Sequence, residues 1–308
     1  MKRHDLLCLA RLAVQIARTQ MPDYASKFAP RRFTQPSLLA CLCLKEFLHM
    51  DYRSCEALLA SAQELRAALG LHAVPDHSTL WWFSRHKIKP RLLARALSET
   101  VRLFQRVAAP RARTVAVDST GFARAPASPY YQQRAGKRHR ARTWLKWSLA
   151  VWTDPLVLCG QVADRGPRGD HVEFRPLVVQ TLARLRFTRL LADGGYDSEA
   201  NHRWLREDLG LESIIPPVAG RPARGLTRRP YRRQLQLAFP RKTYGQRWRV
   251  ETFISVVKRR FGGAVTARHY WQQVKQTLLR GVTYNLYRAV QLGVSVHLRS
   301  HRLFKAAA

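Results

Sequence analysis

Negative charge is what this sequence lacks most. Its 308 residues carry 20 Asp and Glu against 54 Lys and Arg, a formal charge of +34. A folded chain this basic repels itself unless a polyanion neutralises it. Nucleic acid is the partner that composition points to, because phosphates supply affinity independent of sequence. A basic membrane-surface protein is the competing reading. No run of 18 or more apolar residues exists, so no spanning helix is expected, and nucleic acid rather than a membrane is the expected partner. Cysteine is sparse and odd in number, and Cys8, Cys41, Cys43, Cys55 and Cys159 match neither a zinc nor a disulfide spacing. Cys41 and Cys43, with His49 nearby, read as small buried thiols on a helix rather than as a metal cluster. A reduced, cytoplasmic setting is expected. The opening MKRHDLLCLARLAVQIA is broken by Asp5 and Arg11, so it reads as an amphipathic helix and not a signal peptide. Apolar content is ample: 46% of the chain, with eight Trp, is enough for a sizeable core.

The pattern along the chain changes near Arg113. Before it, apolar positions recur at helical spacing over 5–19, 37–49, 52–69 and 91–108, and Asp76 is placed to cap HSTLWWFSRHKI. Short helices with basic ends suit a helix-turn-helix-like DNA-binding unit. After it, RTVAVDST, RTWLKWSLAVWTD and LVLCGQVADRG read as an antiparallel meander with its turn at Asp154-Pro155. A helix capped by Asp170, a strand ending at LLADGG, a helix closed by Gly210 and a strand at LESIIPPV follow. Residues 218–243 are rich in Arg, Pro and Gly and read as a basic loop. Two helices close the series. This order suits a mixed sheet covered by helices on both faces. Trp144 and Trp147, set among basic residues, are expected in the core.

With acids so few, each can be weighed singly. Asp118 lies toward the end of the first strand and Asp193 ends the fourth, where ligands of α/β sheets gather. If those strands are neighbours, the two carboxylates meet at one edge. Glu251 is the only acid in the last 96 residues, a stretch holding 20 Lys and Arg. On a helix, Tyr244, Arg247, Glu251 and Lys258 fall within about 60° of one face, beside an apolar stripe of Val250, Phe253, Ile254, Val257 and Phe261. An Arg247–Glu251 pair on a solvated face is the plain reading of that row. As a set, three converging carboxylates repel, and a divalent cation such as Mg²⁺ would relieve them. Two such ions suit phosphodiester displacement. Trp248 could stack on an unpaired base or pack among helices. Asp170 reads as a cap, and Asp197, four residues after Asp193, as a cap or as a support behind the Asp193 carboxylate; His139 and His171 are unsupported as ligands.

These residues carry a resemblance. VAVDST with Asp118, LLADGGYDS with Asp193 and Tyr196, and the spacing of Tyr244, Arg247, Glu251 and Lys258 resemble the DDE transposases of bacterial insertion sequences, in the superfamily numbered four and its sister group numbered five. The last four match that group's Y-R-E-K signature in spacing. The resemblance covers about 113–290 and implies an α/β, RNase H-like catalytic core behind an α-helical N-terminal domain. It implies that Asp118, Asp193 and Glu251 hold two Mg²⁺ ions, with Mn²⁺ as a substitute. It further implies that Tyr244, Arg247 and Lys258 grip phosphates at the element's end. Only 57 residues separate Asp193 from Glu251, too few for the strand-rich insertion of larger relatives. The expected organisation is a helical DNA-binding domain over 1–110, a catalytic domain over 111–292 and a tail over 293–308. The expected activity is Mg²⁺-dependent cleavage and strand transfer on double-stranded DNA with terminal inverted repeats, by a homodimer on the DNA. A non-catalytic DNA-binding protein, or a nuclease without strand transfer, stands as the alternative.

Overall fold

The computed structural model describes residues 3–107, 113–124, 144–166, 169–217 and 226–294. The N-terminal part is helical: α1 (Arg3–Arg18), α2 (Gln35–Phe47), α3 (Tyr52–Ser61), α4 (Gln63–Leu69), α5 (His77–His86) and α6 (Pro90–Val107). Local chemistry starts three of them. Thr34, Asp51 and Asp76 each sit at an N-cap in extended backbone, and each side chain accepts the N–H three residues on. Each satisfies a donor that helix geometry leaves orphaned. Gly70, at φ 68°, ends α4 in a left-handed turn that a Cβ would strain. The interrupted apolar opening is α1, whose Leu9, Leu12, Ala13 and Ile16 are buried in the main core.

The sheet begins with β1 (Thr114–Arg124), β2 (Leu145–Trp152) and β3 (Val157–Arg165), an antiparallel meander as expected. There follow α7 (Asp170–Leu182), β4 (Arg189–Leu191), a 3₁₀ turn (Gly194–Tyr196), α8 (Glu199–Arg203) and β5 (Glu212–Ile214). β4 and β5 are short and add in parallel beyond β1, giving the order β3-β2-β1-β4-β5. A parallel neighbour needs a crossover, and α8 supplies the one between β4 and β5. The rest of the described chain is α9 (Pro230–Leu237), α10 (Arg241–Tyr244), a 3₁₀ turn (Gly245–Arg247), α11 (Trp248–Phe261), β6 (Ala264–Val265) and α12 (Tyr270–Gln291). This mixed sheet between helical layers is the expected α/β, RNase H-like architecture.

Strand alternation divides the sheet's two faces. On one, Lys146 and Ser148 of β2 donate to Glu173 of α7 at 2.6 and 3.3 Å. On the other, Trp147 packs on Phe122 and on Phe253 of α11, each with ring centroids 5.7 Å apart. α12 ties this layer to the N-terminal helices. The Asn285 amide bonds both the N–H and the C=O of Leu158 at 2.9 Å, satisfying backbone on the sheet's outer strand, and also donates to Thr100 of α6. Arg280, fully buried, donates to Glu46 of α2 at 3.1 Å, and Gln276 donates to the same carboxylate.

Several expectations need correction. β6, which pairs with the end of β1 at Ala123 and Arg124, is too short to show a pattern. The segment read as a basic loop holds α9 within it, with Pro230 at the helix start; residues 218–225 lie outside the described residues. The helix closed by Gly210 switches to a π turn over Trp204–Asp208. Gly169, not Asp170, is the N-cap of α7, and Ser198, not Asp197, caps α8 by accepting from Asn201. Trp147 is buried as expected, but Trp144 precedes the strand and is 40% exposed. His139 lies outside the described residues. The cysteines form no disulfide, and Cys41, Cys43, Cys55 and Cys159 are buried. Burial pushes the Cys43 thiol up to about 12, which suits an inert core group. Among the described residues no helix is long and apolar enough to cross a membrane.

Candidate active site

β1 and β4 are parallel neighbours with Ala116 opposite Leu191. Asp118, midway along β1 rather than toward its end as expected, and Asp193 each lie two residues beyond that pair, so the register itself brings the two acids together where β4 stops. Each commits one oxygen to local backbone. Asp118 Oδ1 accepts the N–H of Ser119 at 2.8 Å, and Asp193 Oδ1 accepts the N–H of Gly195 at 2.9 Å. The Gly pair after Asp193 turns the chain at once into its 3₁₀ turn.

α11 brings the third acid. Val250, Phe253, Val257 and Phe261 are buried beneath it, with Phe253 set edge-on to Tyr284 at 4.3 Å. That stripe turns Glu251 toward solvent beside β1. The row expected on one continuous helix is split: Tyr244 ends α10, Arg247 closes the 3₁₀ turn, and α11 begins at Trp248. The tighter turn keeps the row together. Arg247 donates through Nη1 to Asp118 Oδ2 at 3.2 Å and through Nη2 to Glu251 Oε1 at 2.6 Å. Its guanidinium lies 6.0 Å from the Tyr244 ring centroid, and Tyr244 in turn packs edge-on against Phe239 at 5.0 Å. Five of the seven singled-out residues, Asp118, Asp193, Tyr244, Arg247 and Glu251, thus share one electrostatic neighbourhood.

The charges there are under tension. Burial raises the Asp118 carboxyl above its usual range, partly offset by Ser119 and Arg247, and Asp193 and Glu251 push it further up. Arg247 is held above its ordinary value although burial opposes its charge, through Tyr244, Asp118, Glu251 and Asp193 together. Burial also raises the Tyr244 hydroxyl. Lys258 is half-buried two turns beyond Glu251 on α11 and forms no ion pair among the described residues. Trp248 is 58% exposed, which rules out the packing reading, and Arg249 lies over its ring at 5.8 Å. Arg249 also donates to the carbonyl of Thr153 at 2.9 Å, fastening the start of α11 to the β2–β3 turn.

Among the described residues no trio of His, Cys, Asp and Glu side chains is placed to hold a metal ion. At this site the place between Asp118 and Glu251 is filled by Arg247. The donor set fits a hard divalent cation nonetheless. It is all oxygen, it is open to solvent at Glu251, and its mutual repulsion is only partly offset by the Arg247 guanidinium.

Sequence reasoning weighed Asp197 as a cap or as a support for Asp193 but gave it no partner. The Asp197 side chain is buried four positions after Asp193, and Arg232 of α9 grips it at 2.7 Å. Glu199 accepts the backbone N–H groups of Tyr231 and Arg232 at the start of α9. The basic segment is thereby docked on the core beside Asp193. Asp197 and Arg232 lie 35 residues apart, and only the run of Arg in a region short of acids hints at the contact.

A family model described as the transposase DDE domain matches residues 109–286. Comparison with curated proteins returns no match. The matched span takes in every strand of the sheet, all three acids and the helices that present them, and it covers more than half of the chain. The chain belongs to the transposase DDE-domain family.

Proposed function

We propose that this transposase uses Asp118, Asp193 and Glu251 to hold two Mg²⁺ ions, with Mn²⁺ able to substitute, and that it cuts and joins double-stranded DNA at terminal inverted repeats. The observation that carries the reading is the Arg247 bridge. It joins acids 133 positions apart in sequence, Asp118 of β1 and Glu251 of α11, beside the place where β4 stops two residues before Asp193. When bound, the ions would polarise phosphoryl oxygens and lower the pKa of an attacking hydroxyl.

The chain's own residues have separate tasks in this reading. Arg247 leaves the carboxylates and grips a phosphate in bidentate fashion, since a planar guanidinium suits either partner. Tyr244 and Lys258 contact neighbouring phosphates, and the exposed Trp248 ring stacks on a base. Water attacks a phosphodiester to leave a free 3′-OH on the element's end, and that hydroxyl then displaces a target 3′ oxygen. Residues 1–110 act as the DNA-binding helical domain, 111–292 as the catalytic domain and 293–308 as a tail. Two ends must be joined, which calls for a homodimer on DNA, in the cytoplasm and at the nucleoid.

The test uses purified protein, Mg²⁺ and duplexes carrying the DNA that flanks its coding region. Cleavage at the ends is expected, and joining to a target when the ends are supplied pre-cut. DNA binding without metal-dependent cutting would sink the proposal. Cutting without joining would reduce it to a nuclease.

A further inference from the structure

α5 has two faces that do different things. Leu80 and Phe83 enter the core. Ser78, Trp81, Trp82, Arg85 and His86 are exposed at i, i+3, i+4, i+7 and i+8, a complete helical stripe. Trp81 and Trp82 are 45% and 48% exposed, an expensive way to meet water if nothing covers them. Both are dressed with cations. Arg85 lies over the Trp81 ring at 5.2 Å and Lys87 over the Trp82 ring at 5.5 Å, so the aromatic surface is also a positive one.

The acids close to this face are committed elsewhere. Asp76 accepts from Ser78 and Thr79 at the N-cap of α5, and Asp51 accepts from Ser54 at the N-cap of α3. Glu56 accepts the backbone N–H of His77 at 2.9 Å and pairs with its ring at 2.8 Å. A shallow cleft beside the stripe is lined by Tyr52, Arg53, His77 and Trp81. The other end of α5 is anchored to the core. Lys275 of α12 donates to the carbonyls of Ser84 and Arg85 at 3.3 and 2.8 Å, where a helix C-terminus favours a cation.

We infer that α5 reads DNA sequence from the major groove, with Arg85 contacting base edges and Trp81 and Trp82 packing against the duplex beside it. This rests on DNA being the substrate in the proposed function, but not on cleavage. A single helix fits that groove, and Arg is the side chain best suited to a bidentate contact with guanine. Stacking on Trp81 holds the Arg85 fork in place before contact. The Lys275 anchor fixes the recognised sequence relative to the acid edge, so a bound site and a cut site keep one spacing.

The experiment uses the full chain with Asp118→Asn, which separates binding from cutting. This parent is incubated with a pool of random-sequence duplexes, and bound DNA is amplified and sequenced. The parent is expected to enrich a defined motif. Arg85→Lys, an exposed change that keeps the charge, is expected to lose preference at one or two positions by about tenfold or more. Its affinity for the unselected pool should stay within about threefold of the parent's, because phosphate attraction is retained. A parent that enriches no motif, or an Arg85→Lys protein that enriches the parent's motif undiminished, overturns the assignment. Cutting plays no part in this readout, so failure of cleavage and failure of sequence reading are separate results.

Discussion

Two arginines in this protein do the same chemistry in opposite settings. Arg280 is fully buried and holds Glu46 with help from Lys45 and Gln276, joining α12 to α2 across 234 positions of sequence. Arg247 holds Asp118 and Glu251 at the mouth of the sheet edge, where the Glu251 side chain is 57% exposed. The buried joint has no competitor for its ions and works as structure. The open one can trade partners with phosphate and cation, which is what a site needs. The carboxyl shifts record the difference. Burial opposes the Glu46 charge, yet Lys45 and Arg280 overcome it and hold the carboxyl below its usual range. At Asp118 burial, with Asp193 and Glu251, wins over Arg247. One acid is settled by its fold and the other is left unsettled by it.

The comparison breaks most visibly in activity. Asp118→Asn and Glu251→Gln are each expected to reduce Mg²⁺-dependent cleavage by about 10²–10³-fold, the scale of losing an electrostatic contact to developing charge. Single-turnover cleavage rates check this. Wild-type rates in both would remove the acids from the chemistry.

Stability should respond in the opposite sense at the two places. Glu46→Ala leaves Lys45 and Arg280 buried without their acid and should cost about 3–5 kcal/mol in urea unfolding. The Glu46 contribution is present at neutral pH, because its folded pKa is depressed. It is lost as pH falls below the ordinary carboxylate range and through the lowered folded value. Asp118 runs the other way. Its folded pKa is raised, so its charge costs stability above that value, and Asp118→Asn should melt higher than wild type at neutral pH. That advantage should disappear as pH falls below the ordinary Asp range. Equal melting temperatures at both pH values would contradict the assigned strain.

The smallest expected effect belongs to an acid of a third kind, committed to a local cap. Asp76→Ala should cost about 1 kcal/mol by urea unfolding, as for other N-cap losses. It should leave the cleavage rate on pre-bound DNA unchanged.

What could be read in advance follows the range of the forces involved. Strand alternation, the N-cap at Asp76 and the apolar stripe of α11 are local and legible, whereas the equally local N-cap at Asp51 was not singled out. The meeting of Asp118 with Asp193 needed one topological step, the pairing of β1 with β4. The Glu251 row was legible from spacing, although the 3₁₀ turn at Gly245–Arg247 interrupts the helix it was drawn on. Long-range polar contacts left no local mark: neither Glu46 with Arg280 nor Asp197 with Arg232 has a periodicity to betray it. β6 and the N-cap at Gly169 failed for a similar reason, since neighbours rather than propensity fix them.

The most direct measurement is the Mn²⁺ affinity of the free protein, followed by electron paramagnetic resonance without DNA. If Arg247 stands where a cation belongs, Arg247→Gln should bind Mn²⁺ more tightly than wild type, by about tenfold for each 1.4 kcal/mol of pairing released. Adding Asp118→Asn to it should abolish that gain. Equal Mn²⁺ affinity in wild type, Arg247→Gln and the double variant would contradict the account.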